Sequence, residues 1–178
     1  MASAGIISHA LYVGRFRIFH RGYLEVVRYI LGQGHPELII AIGAAQQCCS
    51  LGNPFSGEER AEMISRVLEE NGLACQTHIV QIDESFATYE NWAKLVESLC
   101  PPFHLVYSHD ELVRLLFQRL GYQTSPVPQF TQLEYSFETV TRKMVNHEPW
   151  QDLLPTVVSR LMEQYKLEQR IKELYSGR

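Results

Sequence analysis

The sequence predicts an α/β fold, a Rossmann-like doubly wound parallel sheet with helices on both faces. Three observations predict it. Short apolar runs rich in branched residues alternate with longer segments of helical period, which is the pattern of successive βαβ units. One strand-to-helix passage, Tyr12-Val13-Gly14-Arg15-Phe16-Arg17-Ile18-Phe19-His20-Arg21-Gly22-Tyr23, turns through a glycine and carries a histidine where the helix begins. The composition, 46% hydrophobic and 20% charged over 178 residues, suffices for the core of one domain spanning residues 1–178.

The strands fall at Ala10–Val13, Leu38–Gly43, His78–Ile82 and His104–Ser108, with a weaker one near Tyr122–Ser125. A first helix over Gly22–Leu31 carries Leu24, Val27, Leu31 and Tyr29 or Ile30 on one stripe. It ends at Gly32-Gln33-Gly34, where glycine accepts a left-handed cap. A second helix begins at Ser56, with Glu59 three residues on completing a capping box, and stops near Asn71-Gly72.

A third helix over Tyr89–Leu99 is closed by Pro101-Pro102. A fourth runs Asp110–Leu120, with Asp110 or Ser108 as its cap. Thr124–Leu133, with Pro126 and Pro128 and no regular period, is a surface loop leading to a short helix after Ser136. The last segment, Leu153–Leu174, reads as one helix with Val157, Leu161, Tyr165, Ile171 and Leu174 spaced between charges. No internal repeat or linker divides the chain.

Charge and cysteine usage exclude several classes. A net charge of −4 gives no basic footprint for a nucleic acid, so any anion site is local. No apolar run reaches membrane length and no charged-then-apolar leader appears, so a cytoplasmic protein without a membrane partner is expected. Cys48, Cys49, Cys75 and Cys100 lack metal-ligand spacing and are read as reduced thiols.

The passage from Tyr12 to Tyr23 is suited to phosphate. A parallel strand delivers Gly14 and Phe16 to its carboxyl edge, and a helix starting near Arg21 aims unpaired N–H groups and its positive end at the same place. His20, Arg15, Arg17 and Arg21 would then surround the anion. Read without that chemistry, the passage is an ordinary βα connection with solvated basic residues.

Gly14-Arg15-Phe16 followed by Phe19-His20-Arg21-Gly22 resembles the H-x-G-H signature of the nucleotidylyltransferase superfamily. The form is that of the archaeal-type nicotinamide mononucleotide adenylyltransferases, G-R-F/M-Q-P-F-H-x-G-H. Leu38–Gln46, Asn53-Pro54-Phe55 with Glu59-Arg60, Pro101-Pro102-Phe103, Val106-Tyr107-Ser108, Tyr135-Ser136 and Leu154-Pro155 follow in that family's order. The resemblance extends from about Leu11 to Leu161. It implies adenylyl transfer from ATP, carried with Mg2+, to a pyridine mononucleotide, and a homo-oligomer. Alternatives are a catalytically impaired nucleotide-binding homologue with a regulatory role and a cytidylyltransferase with another acceptor.

Residue by residue, the resemblance implies His20 and Arg142 in catalysis. It implies ATP or phosphate contacts at Gly14, Arg15, Phe16, Arg17, Gly22, Tyr23, Ser136 and Lys143. The acceptor side falls to Trp92, Asp83 and Arg60, with Trp92 as a stacking surface for nicotinamide. Departures cluster on phosphate-handling positions. Arg17-Ile18 replaces Q-P, Tyr23 replaces the second histidine, and His109-Asp110 replaces G-N. Ser136-Phe137-Glu138-Thr139-Val140-Thr141-Arg142-Lys143 replaces S-G-T-E-x-R-R-R, so Glu138 sits on the first helical turn and Thr141 stands in place of an arginine. Tyr23 either contacts the ligand or simply packs. Arg17 either restores the charge lost at Tyr23 or fills ribose space.

Overall fold

Two runs, His9–Val13 and Leu38–Ile42, are buried at every residue, so neither can lie at a sheet edge. In the computed structural model, which describes residues 9–130 and 134–177, they are the two strands nearest the centre. Five strands, β1 (His9–Gly14), β2 (Leu38–Ile42), β3 (Thr77–Gln81), β4 (Phe103–Tyr107) and β5 (Gln123–Ser125), pair in the order β3-β2-β1-β4-β5. Every pair is parallel.

Among the described residues seven α-helices flank the sheet: α1 (Arg21–Gly32), α2 (Gly57–Glu70), α3 (Trp92–Leu99), α4 (Glu111–Arg119), α5 (Phe137–Val145), α6 (Thr156–Gln164) and α7 (Leu167–Ser176). The two-residue alternation of a strand divides the core. Ala10, Tyr12, Ile40 and Ile42 meet Val27, Ile64, Val140, Leu161 and Ile171 from α1, α2, α5, α6 and α7. Leu11, Val13, Ile39 and Ala41 meet Val96 and Phe117 from α3 and α4 on the other face. No helix among the described residues is long and apolar enough to cross a membrane.

The capping box at Ser56 forms. Its Oγ accepts the Glu59 N–H at 3.1 Å, and Glu59 Oε2 accepts the Ser56 N–H at 2.9 Å. Glu59 also receives a bidentate Arg170 at 2.7 and 2.9 Å, which ties α7 to the start of α2. Burial works against the charged form. The hydrogen bonds from Arg170 and Ser56 nonetheless hold the Glu59 carboxyl below its usual range.

Three expectations change. The third helix starts at Trp92 rather than Tyr89, because Asn91 Oδ1 accepts the Thr88 N–H at 2.7 Å and bends residues 88–91 into a turn. The single C-terminal helix is two, since Lys166 takes a left-handed φ of 53°. That break lets α6 pack on α2 while α7 reaches α5. Cys48 and Cys49 are joined to each other, with Cα atoms 3.8 Å apart, while Cys75 and Cys100 remain thiols. Spacing rules for metal ligands do not address an adjacent pair. Of the proline-bearing loop, residues 126–130 are irregular, as expected, and 131–133 lie outside the described residues.

Candidate active site

Parallel strands end together, and the segments leaving β1, β2, β3 and β4 enclose a cleft of about 680 Å³. Its size suits a small-molecule or cofactor site. Gly14, Arg15, Arg17 and Tyr23 line it together with Gly43, Gln46, Glu84 and Trp92, and Tyr12, His109 and Asp110 complete the lining.

Two of the turns are strained. Phe16 and Ala44, neither of them glycine, hold φ values of 45° and 50°. Such conformations cost roughly 1–3 kcal/mol each and persist only when the surroundings fix them. Arg60 fixes both. Fully buried, it donates from Nη1 to the carbonyls of Arg15 at 2.8 Å and Gly43 at 2.9 Å, and from Nη2 to Ala44 at 2.8 Å. Its own helix comes close enough because Gly57 has no side chain, where a Cβ would lie 2.7 Å from the Ala45 carbonyl oxygen. Arg60 therefore shapes the cleft from beneath and is not placed to touch an acceptor.

Of the two residues expected at the site, Tyr23 reaches it and His20 does not. Their rings stack at 4.0 Å, and it is Tyr23 that faces the cleft. His20 is not among the lining residues. Burial, and secondarily His109, pulls its pKa down to about 3, which favours the neutral imidazole near pH 7. Burial likewise pushes the Tyr23 phenol up to about 12. Phe16 is a core side chain, edge-on to Tyr12 at 5.1 Å and Tyr23 at 5.0 Å, so only its backbone belongs to the turn. Gly22 is buried, and a Cβ there would press to 3.1 Å from His20 Nδ1.

The N-terminus of α1 has no side-chain cap among the described residues and no acidic residue in its first turn. The Tyr23 N–H returns to the His20 carbonyl at 3.0 Å, so an anion there would draw on the N–H groups of Arg21 and Gly22. The N-terminus of α5 is the opposite case. Ser136 Oγ accepts the Thr139 N–H at 3.0 Å, and Glu138 takes Arg17 Nη2 at 2.7 Å. The Arg17 guanidinium also lies 4.1 Å over the Phe137 ring.

Thr141 is buried and donates to the Phe137 carbonyl at 2.9 Å, which occupies the inward face of α5. Arg142 and Lys143 are thereby turned outward, 3.1 and 3.9 Å from Glu148. Ser136, Arg142 and Lys143 do not line the cleft. The reason is geometric: one position along a helix rotates a side chain by about 100°.

Also lining the cleft, Trp92 Nε1 donates to Glu84 Oε1 at 2.7 Å, and the Glu84 N–H is held by Gln46 Oε1 at 2.9 Å. Asp83, the residue expected there, faces solvent and accepts the Ser85 N–H at 2.8 Å. Glu84, Gln46 and Tyr12 line the cleft without having been singled out by motif, and His109, noted only where it replaces G-N, lines it too. The rule that ligands bind where parallel strands end would have pointed to Glu84 and His109, just beyond β3 and β4. The Tyr12 hydroxyl is buried and unpartnered among the described residues, and burial holds it protonated. It can donate into the cleft.

The sequence is similar to those of known proteins. A family profile described as Cytidylyltransferase-like matches residues 11–118. The nicotinamide-nucleotide adenylyltransferase of Pyrococcus abyssi is 36% identical over 165 residues, covering 92% of this chain and 87% of its own length. That of Methanococcus aeolicus is 35% identical, covering 93% and 94%. The chain belongs to the nicotinamide-nucleotide adenylyltransferase family.

Solved structures agree on the fold of this family member. The bifunctional NMN adenylyltransferase/ADP ribose pyrophosphatase from Francisella tularensis superposes with a TM-score of 0.71 at 20% identity, covering 93% of this chain and 52% of its own. The chain thus spans about half of that bifunctional protein. A nicotinic acid mononucleotide adenylyltransferase from Plasmodium falciparum gives a TM-score of 0.63 at 8% identity.

Proposed function

We propose that this chain transfers AMP from ATP to nicotinamide mononucleotide, releasing pyrophosphate and giving the dinucleotide. The observation that carries the reading is the cleft lined together by the Gly14-Arg15 turn, by Tyr23 in the first turn of the uncapped α1 and by Trp92. Arg15 and the leading N–H groups of α1 would hold the triphosphate. Trp92, its indole fixed by Glu84, would offer a plane for the pyridine ring. The mononucleotide's phosphate oxygen attacks the α-phosphorus as the bond to pyrophosphate breaks, so the work is positioning and charge stabilisation.

A magnesium ion would enter with the nucleotide and neutralise its phosphates. The carboxylates lining the cleft are already engaged, Glu84 with Trp92 and Asp110 with the Leu112 N–H at 2.8 Å. The donors therefore suit a cation carried on phosphate oxygens better than a resident one. The Francisella enzyme has been solved with AMP and a manganese ion.

Incubation with ATP, nicotinamide mononucleotide and magnesium should yield the dinucleotide and pyrophosphate, slowly, because loss of one preorganised donor costs about 10²–10³ in rate. The Arg17–Glu138 pair favours a second reading, a nucleotide-binding homologue that no longer catalyses. Restoring Tyr23→His, Glu138→Thr and Thr141→Arg together should raise turnover. No product from either form, with nucleotide still bound, would decide for the second reading, and turnover with CTP alone would change the nucleotide. We also propose a cytoplasmic homo-oligomer. Leu161 and Ile171 are buried within the chain, so exposed Phe86, Leu112 and Leu115 support assembly better than the C-terminal helices do. A monomer mass by light scattering would remove that part.

A further inference from the structure

At the amino ends of the strands, on the far side of the sheet from the cleft, three side chains converge. His9 opens β1, Glu37 immediately precedes β2, and His78 is the second residue of β3. The register sets Ala10 beside Leu38 and Ile39 beside His78, so alternation brings His9, Glu37 and His78 to one face of three neighbouring strands. Glu37 Oε2 lies 3.1 Å from His9 Nδ1 and 2.8 Å from His78 Nε2, and the three atoms are all within 4.8 Å of one another.

A proton-sharing ion pair does not complete this cluster. His9 is 9% exposed, and its Nδ1 is buried without an aligned hydrogen-bond partner, although the carboxylate is near. A buried ring nitrogen aimed at a carboxylate and a second imidazole has the form of a ligand set. Bonds of roughly 2.0–2.2 Å to one tetrahedral ion would put neighbouring ligand atoms about 3.3 Å apart. Reaching that spacing needs only a small turn of the exposed His78 side chain.

We propose that His9, Glu37 and His78 form a binding site for a divalent transition metal, Zn2+ being the probe of choice. Two imidazoles and one carboxylate suit zinc and its neighbours, whereas magnesium and calcium prefer all-oxygen sets. Water would complete the fourth position. A bound ion would clip the amino ends of β1, β2 and β3 together and stabilise the folded chain.

The test is Zn2+ titration of the metal-stripped full-length chain against a competing chelator dye, with thermal unfolding in parallel. One ion per chain is expected, with a rise in Tm of about 5–10 °C at about a hundredfold excess over Kd. His78→Ala, a substitution at an exposed position, and Glu37→Gln should each weaken binding beyond the roughly 10–100-fold that losing an outer partner costs. Both should abolish the Tm rise. Cys75→Ser should leave binding unchanged, and the Co2+ form should show no thiolate charge-transfer band. Binding that survives His78→Ala, a thiolate band, or no stoichiometric uptake by the wild-type chain would each overturn the site.

Discussion

Arg17 reaches the cleft but spends its charge on Glu138 at 2.7 Å, so a cation and the first turn of α5 cancel each other where a triphosphate would need both. Glu138→Thr should free Arg17 and lower the KM for ATP by about 3–10-fold, the range of a partly exposed charge contact. Initial rates over an ATP series check it, and an unchanged KM would show that Arg17 does not face the nucleotide. His20 makes a separate prediction. Its folded-state pKa of about 3 lies below the ordinary 6.5, so the unfolded chain takes up a proton that the folded chain refuses. The stability concerned is intact above pH 6.5 and drains away as pH falls toward 3, by up to ~1.4 kcal/mol per unit. His35 and His109 are lowered in the same sense, chiefly by burial. His20→Asn should flatten the fall in urea midpoint between pH 6.5 and 4, and an unaltered slope would assign the acid lability elsewhere.

At the scale of elements, α2 carries a helix cap at one end of its first turn and a guanidinium anchor at the other. Arg60→Met leaves the Arg15, Gly43 and Ala44 carbonyls without their donor and should cost roughly 3 kcal/mol or more in chemical denaturation. Arg60→Lys should recover little, because an ammonium cannot span the same fork of acceptors. A loss below about 1 kcal/mol would mean the turns hold themselves. The Ser56 cap, the glycine ends of helices and the buried runs of β1 and β2 were legible in the sequence because each is decided within a few residues. The split at Lys166 was not, since the amphipathic period runs through it and only the separate surfaces of α2 and α5 divide the helix. Glu84 was mistaken for Asp83 for a related reason: beyond β3 no period fixes which carboxylate turns inward. His20 was placed by its motif, but the motif cannot say that a tyrosine three residues later would cover the ring.

Across the whole molecule, β1 is paired on both sides. One partner, β2, follows within 40 residues, whereas β4 begins only at Phe103. A chain growing from its N-terminus therefore completes β1, β2 and β3 while the second side of β1 has nothing to bond. That side is a mostly apolar strand with open N–H and C=O groups, the kind of edge that recruits another copy of itself. A fragment ending at Cys100 should accordingly sediment as aggregates, and supplying residues 101–178 in trans should return it to solution by providing β4. A soluble, monomeric fragment would show that the β1 edge is guarded before its partner is made. Placing the Gly14-Arg15 turn of the cleft on the central strand thus obliges the protein to protect its most vulnerable edge for most of the time it takes to be synthesised.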